Sequence, residues 1–158
     1  MQKACKAFLA VMGRVLFIGF TVQIVLGICW MVGNFFNFQK FGDSILYEEI
    51  SKILICDEYR GILYPILIRL AKGMEELVLI PYHYILHLLQ IGMAFLAAYK
   101  LLEGVGVRNR IMTIWGSLSM VTFPFALQCH LAVLPDSLVG SFVLLELAYT
   151  MKLLTGKQ

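Results

Sequence analysis

Long apolar runs alternate with short polar stretches along most of this chain. Four runs are long enough, or nearly long enough, to cross a membrane as helices: 13–36, 80–102, 111–130 and 135–154. A spanning helix needs about 20 predominantly apolar residues. Pro124 interrupts the third run and predicts a kink there, because proline removes a backbone hydrogen bond. The pattern therefore predicts an all-α fold, a polytopic membrane bundle of about four transmembrane helices.

The connection between the first two runs, residues 37–79, is mixed rather than uniformly polar. Segment 44–55 places apolar residues on one rough helical stripe: Ile45, Ile50, Ile53 and Leu54. Its charged residues lie on other faces, and segment 61–79 is similarly mixed. This spacing is typical of amphipathic helices that lie in a membrane interface. We therefore expect two such helices in this loop.

Composition supports the membrane assignment. Hydrophobic residues make up 60% of the chain and the mean hydropathy is +0.82, whereas soluble domains are about 45–50% apolar. The net charge of +3 comes without a basic run, which argues against a nucleic-acid partner. The first apolar run follows Lys3 and Lys6 as in a signal peptide, but it is long enough to span and no small-residue cleavage site follows it. We treat it as a retained anchor and residues 1–158 as one transmembrane domain.

The distribution of charge predicts the orientation, because basic residues concentrate on the cytoplasmic side. One group flanks the N-terminus, the 103–110 loop and the C-terminus: Lys3, Lys6, Arg14, Lys100, Arg108, Arg110, Lys152 and Lys157. The basic residues of the other side are outnumbered by acids: Asp43, Glu48, Glu49, Asp57, Glu58, Glu75, Glu76 and Asp136. The termini and the 103–110 loop are therefore predicted to be cytoplasmic, and the loops 37–79 and 128–136 to be outside.

Two acidic residues, Asp57 and Asp136, fall on the outer face in this topology. The simple interpretation of Asp57 is a solvated loop acid, and that of Asp136 is a carboxylate favoured by the start of the fourth helix. The chemical interpretation is that Asp57 takes a proton from an acceptor hydroxyl and that Asp136 binds a metal or a phosphate–metal group. The connections between them are short enough for the two carboxylates to converge.

Histidines cluster near the same predicted end of the bundle. His83 and His87 lie four residues apart on one predicted helix, and Gln90 extends that face by about one turn. Two histidines at this spacing do not by themselves make a metal site, and such a stripe more often faces the interior of a bundle. His130 ends the third predicted span, so we expect it in the same region.

Glu146 falls within the fourth predicted span, ten residues beyond Asp136. A rise of 1.5 Å per residue places it about 15 Å deeper, near the middle of the membrane. Acidic residues at this depth are costly and have a functional or paired role by default. We expect a neutral glutamic acid bonded to another helix, with Gln23 as the candidate partner.

Two loop stretches combine acidic residues and proline in a recurring order. In DEYRGILYPILIRL (57–70) an acidic residue precedes a Tyr-Pro element. In FPFALQCHLAVLPDSL (123–138) a proline in one span is followed by an acidic residue at the start of the next. These stretches, with the order of spans and loops over nearly the whole chain, resemble the N-terminal part of GT-C superfamily glycosyltransferases of the mannosyl- and arabinosyltransferase type.

The resemblance implies a membrane enzyme that transfers a sugar from a polyprenyl-phosphate donor to an acceptor on the extracytoplasmic face. Asp57 would be the catalytic aspartate, and Asp136 would be catalytic through a divalent cation, Mg²⁺ or Mn²⁺, or through the donor phosphate. Substrate-binding residues are expected around them: Glu58, Tyr59, Tyr64, His83 and His130. The two histidines are included because of their position in the predicted topology, not because of the family pattern.

The resemblance also implies the partners and the location. The chain would sit in the plasma membrane among lipids and would bind the polyprenyl-phosphate sugar. It lacks a DxD pair in the second loop, and family members carry more spans. We therefore expect either a truncated or split half-module of such an enzyme, or a subunit whose bundle a membrane-protein partner completes.

Two other interpretations remain open. A non-catalytic four-helix adaptor or assembly subunit is favoured by small residues that permit close helix packing, among them Gly27, Gly92 and Gly116. A quinone-linked thiol oxidoreductase would use Cys56 and Cys129, but the chain has no CxxC motif.

Overall fold

A computed structural model describes residues 2–35, 42–54, 61–132 and 134–154. Most of the described residues are helical, and the described ranges contain no strand. The helices are α1 (Gln2–Asn34), α2 (Gly42–Ile53), α3 (Leu63–Val78), α4 (Tyr82–Val105), α5 (Arg110–Val121), α6 (Pro124–His130) and α7 (Asp136–Leu154). The predicted all-α fold is confirmed, and the two helices expected in the 37–79 connection are α2 and α3.

Three helices are long and apolar enough to cross a membrane: Val11–Asn34 of α1, all of α4 and all of α7. A fourth crossing forms if α5 and α6, which meet at a bend of 71°, are one broken span. Pro124 causes the bend. It disfavours a helical conformation at the preceding Phe123, which is extended with φ −63° and ψ 133°. The kink predicted at Pro124 is therefore confirmed.

Helix α4 is the centre of the bundle and packs on α3, α5 and α7. Its closest approach is to α7, and small residues make that approach possible. A Cβ added at Gly104 would lie 2.9 Å from the carbonyl oxygen of Ala148. Ala97 and Ala98 are fully buried on the same helix. Because a bilayer provides little hydrophobic drive between helices, such close backbone contact is a main source of packing energy.

Helix α1 contacts this core at two places, one on α5 and one on the bend after α5. The amide of Gln23 donates to the Ser119 carbonyl oxygen at 2.9 Å and accepts from the Ser119 hydroxyl at 3.1 Å. Gly27 packs against Thr122, where an added Cβ would lie 2.6 Å from the threonine Cβ and carbonyl oxygen. Both the amide nitrogen and the amide oxygen of Gln23 therefore have hydrogen-bond partners. The expected pairing of Gln23 with Glu146 is wrong, and Glu146 is exposed on α7.

Helices α2 and α3 form a cap beside the first turns of α4. The buried face of α3 carries Tyr64, Pro65, Ile68 and Ala71 at helical spacing. Polar contacts fasten the cap: the Tyr82 hydroxyl donates to the Glu48 carboxylate, and the Lys72 ammonium lies 5.1 Å from the centre of the Tyr82 ring. The long connection therefore folds against the bundle instead of extending from it.

Adding one methyl group at Gly27 tests its contact with the bend. We expect Gly27→Ala to lower the free energy of unfolding by about 1–3 kcal/mol, because the new Cβ meets backbone that cannot move aside cheaply. Gly19→Ala is the matched control, since nothing lies within 4 Å of its added Cβ on the same helix. Thermal unfolding in detergent compares the two; equal midpoints would contradict the packing described for α1.

Candidate functional site

Gln90 connects three parts of the chain at the end of the bundle where α4 begins. Its side chain is fully buried. Its Nε2 donates to the Tyr64 hydroxyl at 3.2 Å and to the Leu134 carbonyl oxygen at 2.9 Å. The first bond reaches α3 and the second reaches the connection between α6 and α7. One amide therefore holds the cap helix and the segment just before Asp136 against α4.

A second buried pair joins α6 to α7. His130 Nδ1 lies 2.6 Å from the Ser137 hydroxyl, and both side chains are at least 95% buried. One turn further along α7, the Ser141 hydroxyl donates to the Ser137 carbonyl oxygen at 2.7 Å. The pair fixes the first turn of α7. We call the set formed by Tyr64, Gln90, the Leu134 carbonyl, His130 and Ser137 the polar clamp.

Tyr64 is the member of the clamp that belongs to the cap. It is 4% exposed, and the Tyr47 ring of α2 packs edge-on at 5.4 Å between centroids. Burial raises the pKa of the Tyr64 phenol well above its ordinary value; the Gln90 bond opposes the rise, and the Tyr47 and Asp136 charges add smaller increases. The phenol is therefore neutral at physiological pH and serves as a hydrogen-bonding group.

Asp136 is exposed in the first turn of α7, beside the clamp. It lines a largely apolar cavity of about 450 Å³ between α4, the α5–α6 bend and α7, together with His130 and Ser137. Polar groups therefore lie at one end of the cavity, and side chains such as Val121 and Leu144 line the rest. This arrangement suits an amphipathic ligand, with its polar part near Asp136.

A second cavity, of about 260 Å³, lies where α3 and α7 begin. Gly61 and Tyr64 line one side of it, and Pro135 and Leu138 line the other. Pro135, which precedes Asp136, and Gly61, four positions after Asp57, therefore line the same cavity. The start of α3, inside the predicted outer loop 37–79, and the start of α7, just after the predicted outer loop 128–136, meet at this place.

The structure brings together part of the predicted site. Tyr64, His130 and Asp136 belong to the region just described. His83 is half-buried near the start of α4, in an aromatic group where its ring lies 4.1 Å from that of Tyr84 and 6.1 Å from that of His87. Three further predicted residues lie outside the described residues: Asp57, Glu58 and Tyr59.

The expected metal site has no support from the residues whose positions are known. Within the described ranges, no group of three His, Cys, Asp or Glu side chains could hold a metal ion. Hard cations take several oxygen ligands, and among the described residues Asp136 belongs to no such group of three. A site completed by Asp57 and Glu58 stays a prediction, since both lie outside those ranges.

Sequence reasoning missed the clamp, although it singled out several of its members. Gln90 was assigned to a stripe with the histidines, and His130 to the same region. Their partners include a loop carbonyl 44 residues away from Gln90 and a serine seven residues away from His130. The available signal was the presence of Gln90 in an apolar span, where a polar side chain must find a partner.

The Gln90 bonds predict a measurable loss of stability. Gln90→Leu keeps the side-chain volume similar but leaves the half-buried Leu134 carbonyl without this donor. We expect the free energy of unfolding to fall by about 1–3 kcal/mol. Tyr64→Phe should cost less, because it removes only the longer bond. Denaturation in detergent measures the loss of stability in each variant. Gln128→Leu, on the exposed side of α6, is the control. An unchanged free energy of unfolding in Gln90→Leu would contradict the clamp.

The chain has also been compared with known proteins. No protein-family model, curated protein or solved structure matches it.

Proposed function

We propose that the chain is a GT-C-like glycosyltransferase, or a half-module of one, that transfers a sugar from a polyprenyl-phosphate donor to an acceptor hydroxyl. The proposal joins the resemblance of 57–70 and 123–138 to the geometry around the polar clamp. The observation that carries it is the shared cavity at the starts of α3 and α7, lined by Gly61 and Pro135.

This cavity supports convergence of the two loop acids. Asp57 lies four residues before Gly61, so the chain between them spans at most about 14 Å. Pro135, across the cavity, adjoins Asp136. The reach of the chain therefore lets both carboxylates approach one bound substrate. The clamp supports the same geometry, because it fixes the segments on both sides of the cavity.

In the proposed reaction, the Asp57 carboxylate accepts the proton of the acceptor hydroxyl. The acceptor oxygen forms a bond to the anomeric carbon of the donor sugar. The bond between that carbon and the phosphate oxygen breaks, and the polyprenyl phosphate leaves with the electron pair. The proton on Asp57 passes to water. Asp136, which follows Pro135 of the shared cavity and lines the cavity of about 450 Å³, positions the donor.

The cavity of about 450 Å³ suits the lipid part of the donor. Its lining is mainly apolar, and the polar groups Asp136, His130 and Ser137 lie together at one end. The first isoprene units would occupy the apolar part, and the sugar phosphate would lie near Asp136. His130 acts through Ser137 as a positioning residue, since its bond holds the first turn of α7.

The proposal includes an orientation in the plasma membrane. The basic flanks support cytoplasmic termini and a cytoplasmic 103–110 loop, and in this orientation the cavities lie towards the outer face. The partners are membrane lipids, the polyprenyl-phosphate sugar and a membrane protein that completes the bundle. The alternative is a non-catalytic adaptor, in which the clamp has a structural role alone.

Asp57→Asn should abolish sugar transfer without changing folding, because an amide cannot take the acceptor proton. Asp136→Asn should reduce transfer by about 10²-fold or more, as expected when a charged positioning group is lost. The measurement is incorporation of labelled sugar from polyprenyl-phosphate mannose or arabinose into an acceptor, in membranes that contain the chain.

Asp43→Asn provides the control, since Asp43 is an exposed acid of the cap. It should retain full transfer. Full transfer by both Asp57→Asn and Asp136→Asn would contradict the proposal, and absence of transfer by the unsubstituted chain with either donor would favour the adaptor.

The orientation predicts which positions react with a membrane-impermeant thiol reagent on intact cells. In a background with the native cysteines replaced by serine, Gly61→Cys should be labelled from outside. Arg108→Cys should be labelled only after the cells are permeabilised. The reverse pattern would place the cavities in the cytoplasm and contradict the proposed outer-face reaction.

A further inference from the structure

The cavity of about 450 Å³ has the size of a site for one small amphipathic molecule, since cavities that bind small molecules measure about 300–1,000 Å³. It follows α7 from Asp136 to Leu144, which is about 12 Å at 1.5 Å per residue. Away from Asp136 the lining is mainly apolar and comes from several helices: Ala94 and Ala98 of α4, Val121 of α5, and Gly140, Val143 and Leu144 of α7. The cavity therefore has room for one alkyl chain along α7.

Asp136 gives this cavity its charge. Of the described residues that line it, no other is an acid, a lysine or an arginine. The hydroxyls beside it are already bonded within the protein, Ser137 to His130 and Ser141 to the Ser137 carbonyl oxygen. Within the described ranges, no hydrogen bond or ion pair uses the Asp136 carboxylate. A ligand in the cavity therefore meets an unpaired negative charge at the polar end.

This charge decides which headgroup the cavity favours. A phosphate or sulfate beside the carboxylate is repelled unless a cation lies between them. The start of α7 attracts anions through its free N–H groups, but Asp136 itself occupies that end of the helix. An ammonium group has the complementary charge, and its N–H groups donate to a carboxylate without a metal. A cationic headgroup is therefore favoured over an anionic one.

We propose that this cavity binds a single-chain amphiphile with a primary ammonium headgroup, that is, a long-chain amine. The ammonium pairs with the Asp136 carboxylate, and the chain lies along Gly140 towards Leu144. Such an amine competes for the space that the proposed reaction assigns to the lipid of the donor. Its binding does not depend on sugar transfer, so the proposal holds for an adaptor as well as for an enzyme.

A photoreactive amine tests the site directly. The probe is dodecylamine with a diazirine near the far end of its chain, and the full chain is held in phosphatidylcholine liposomes at neutral pH without divalent cations. Mass spectrometry should find the probe on residues that line the cavity, among them Val121, Val143 and Leu144.

Three unlabelled competitors with the same chain measure the charge requirement: dodecylamine, dodecanol and dodecyl phosphate. We expect dodecylamine to displace the probe at about fivefold lower concentration than dodecanol, as for an ion pair at an exposed carboxylate. Dodecyl phosphate should be the weakest competitor, because its charge has the same sign as that of Asp136.

Two pairs of variants locate the interaction. Asp136→Asn should reduce the preference for dodecylamine over dodecanol to about one, whereas Asp43→Asn, which removes an exposed acid of the cap, should leave it unchanged. Gly140→Leu should abolish crosslinking in the cavity by filling it. Gly92→Leu is its control, since an added Cβ meets nothing within 4 Å at either glycine and Gly92 does not line the cavity. Unfolding midpoints report whether the variants fold.

Three results would overturn the proposal. Equal displacement by all three competitors would mean that the cavity holds any alkyl chain. Stronger displacement by dodecyl phosphate than by dodecylamine would make an anionic lipid the ligand, as the proposed reaction requires of its donor. An amine preference that survives in Asp136→Asn would place the ammonium elsewhere.

Discussion

A lipid bilayer cannot hydrogen-bond to a polar group, so each polar side chain inside an apolar bundle needs a protein partner. The amide nitrogen of Gln90 meets this constraint at the point where three parts of the chain come together. Its amide binds the Tyr64 hydroxyl and the Leu134 carbonyl. The position of the cap, and of the segment that leads into Asp136, therefore depends on one buried side chain of α4.

Close packing supplies the rest of the framework. Gly104 lets α4 approach the backbone of α7, and Gly27 lets α1 approach the bend after α5. The bend itself follows from Pro124, which directs α6 towards α7 and allows His130 to reach Ser137. The bend therefore produces both features of the cavity of about 450 Å³. Because α6 turns away from α5, an apolar space is left beside them. The same turn brings His130 to the edge of that space.

Hydropathy and proline positions were sufficient to predict the spans, the kink and the two helices of the cap. Each of these depends on local sequence, namely an apolar run, a missing N–H group or an amphipathic stripe. The partners of Gln90 and Gln23 were not predictable in this way, because they depend on which helices touch in three dimensions. Gln23 was expected to bind Glu146 and instead binds Ser119. Tyr64, His130 and Asp136 lie in one region of the structure, and His83 lies in an aromatic group near the start of α4; their roles in binding or catalysis stay predictions.

The central claim is that the two loop acids converge at the cavity shared by α3 and α7. The most direct measurement is the distance between spin labels at Asp57→Cys and Asp136→Cys, by pulsed electron paramagnetic resonance, in a chain whose four native cysteines are serine. Convergence on one bound sugar predicts a distribution centred at about 20 Å or less. A distribution centred above about 30 Å, beyond the reach of the chain from Gly61 across the cavity, would contradict it.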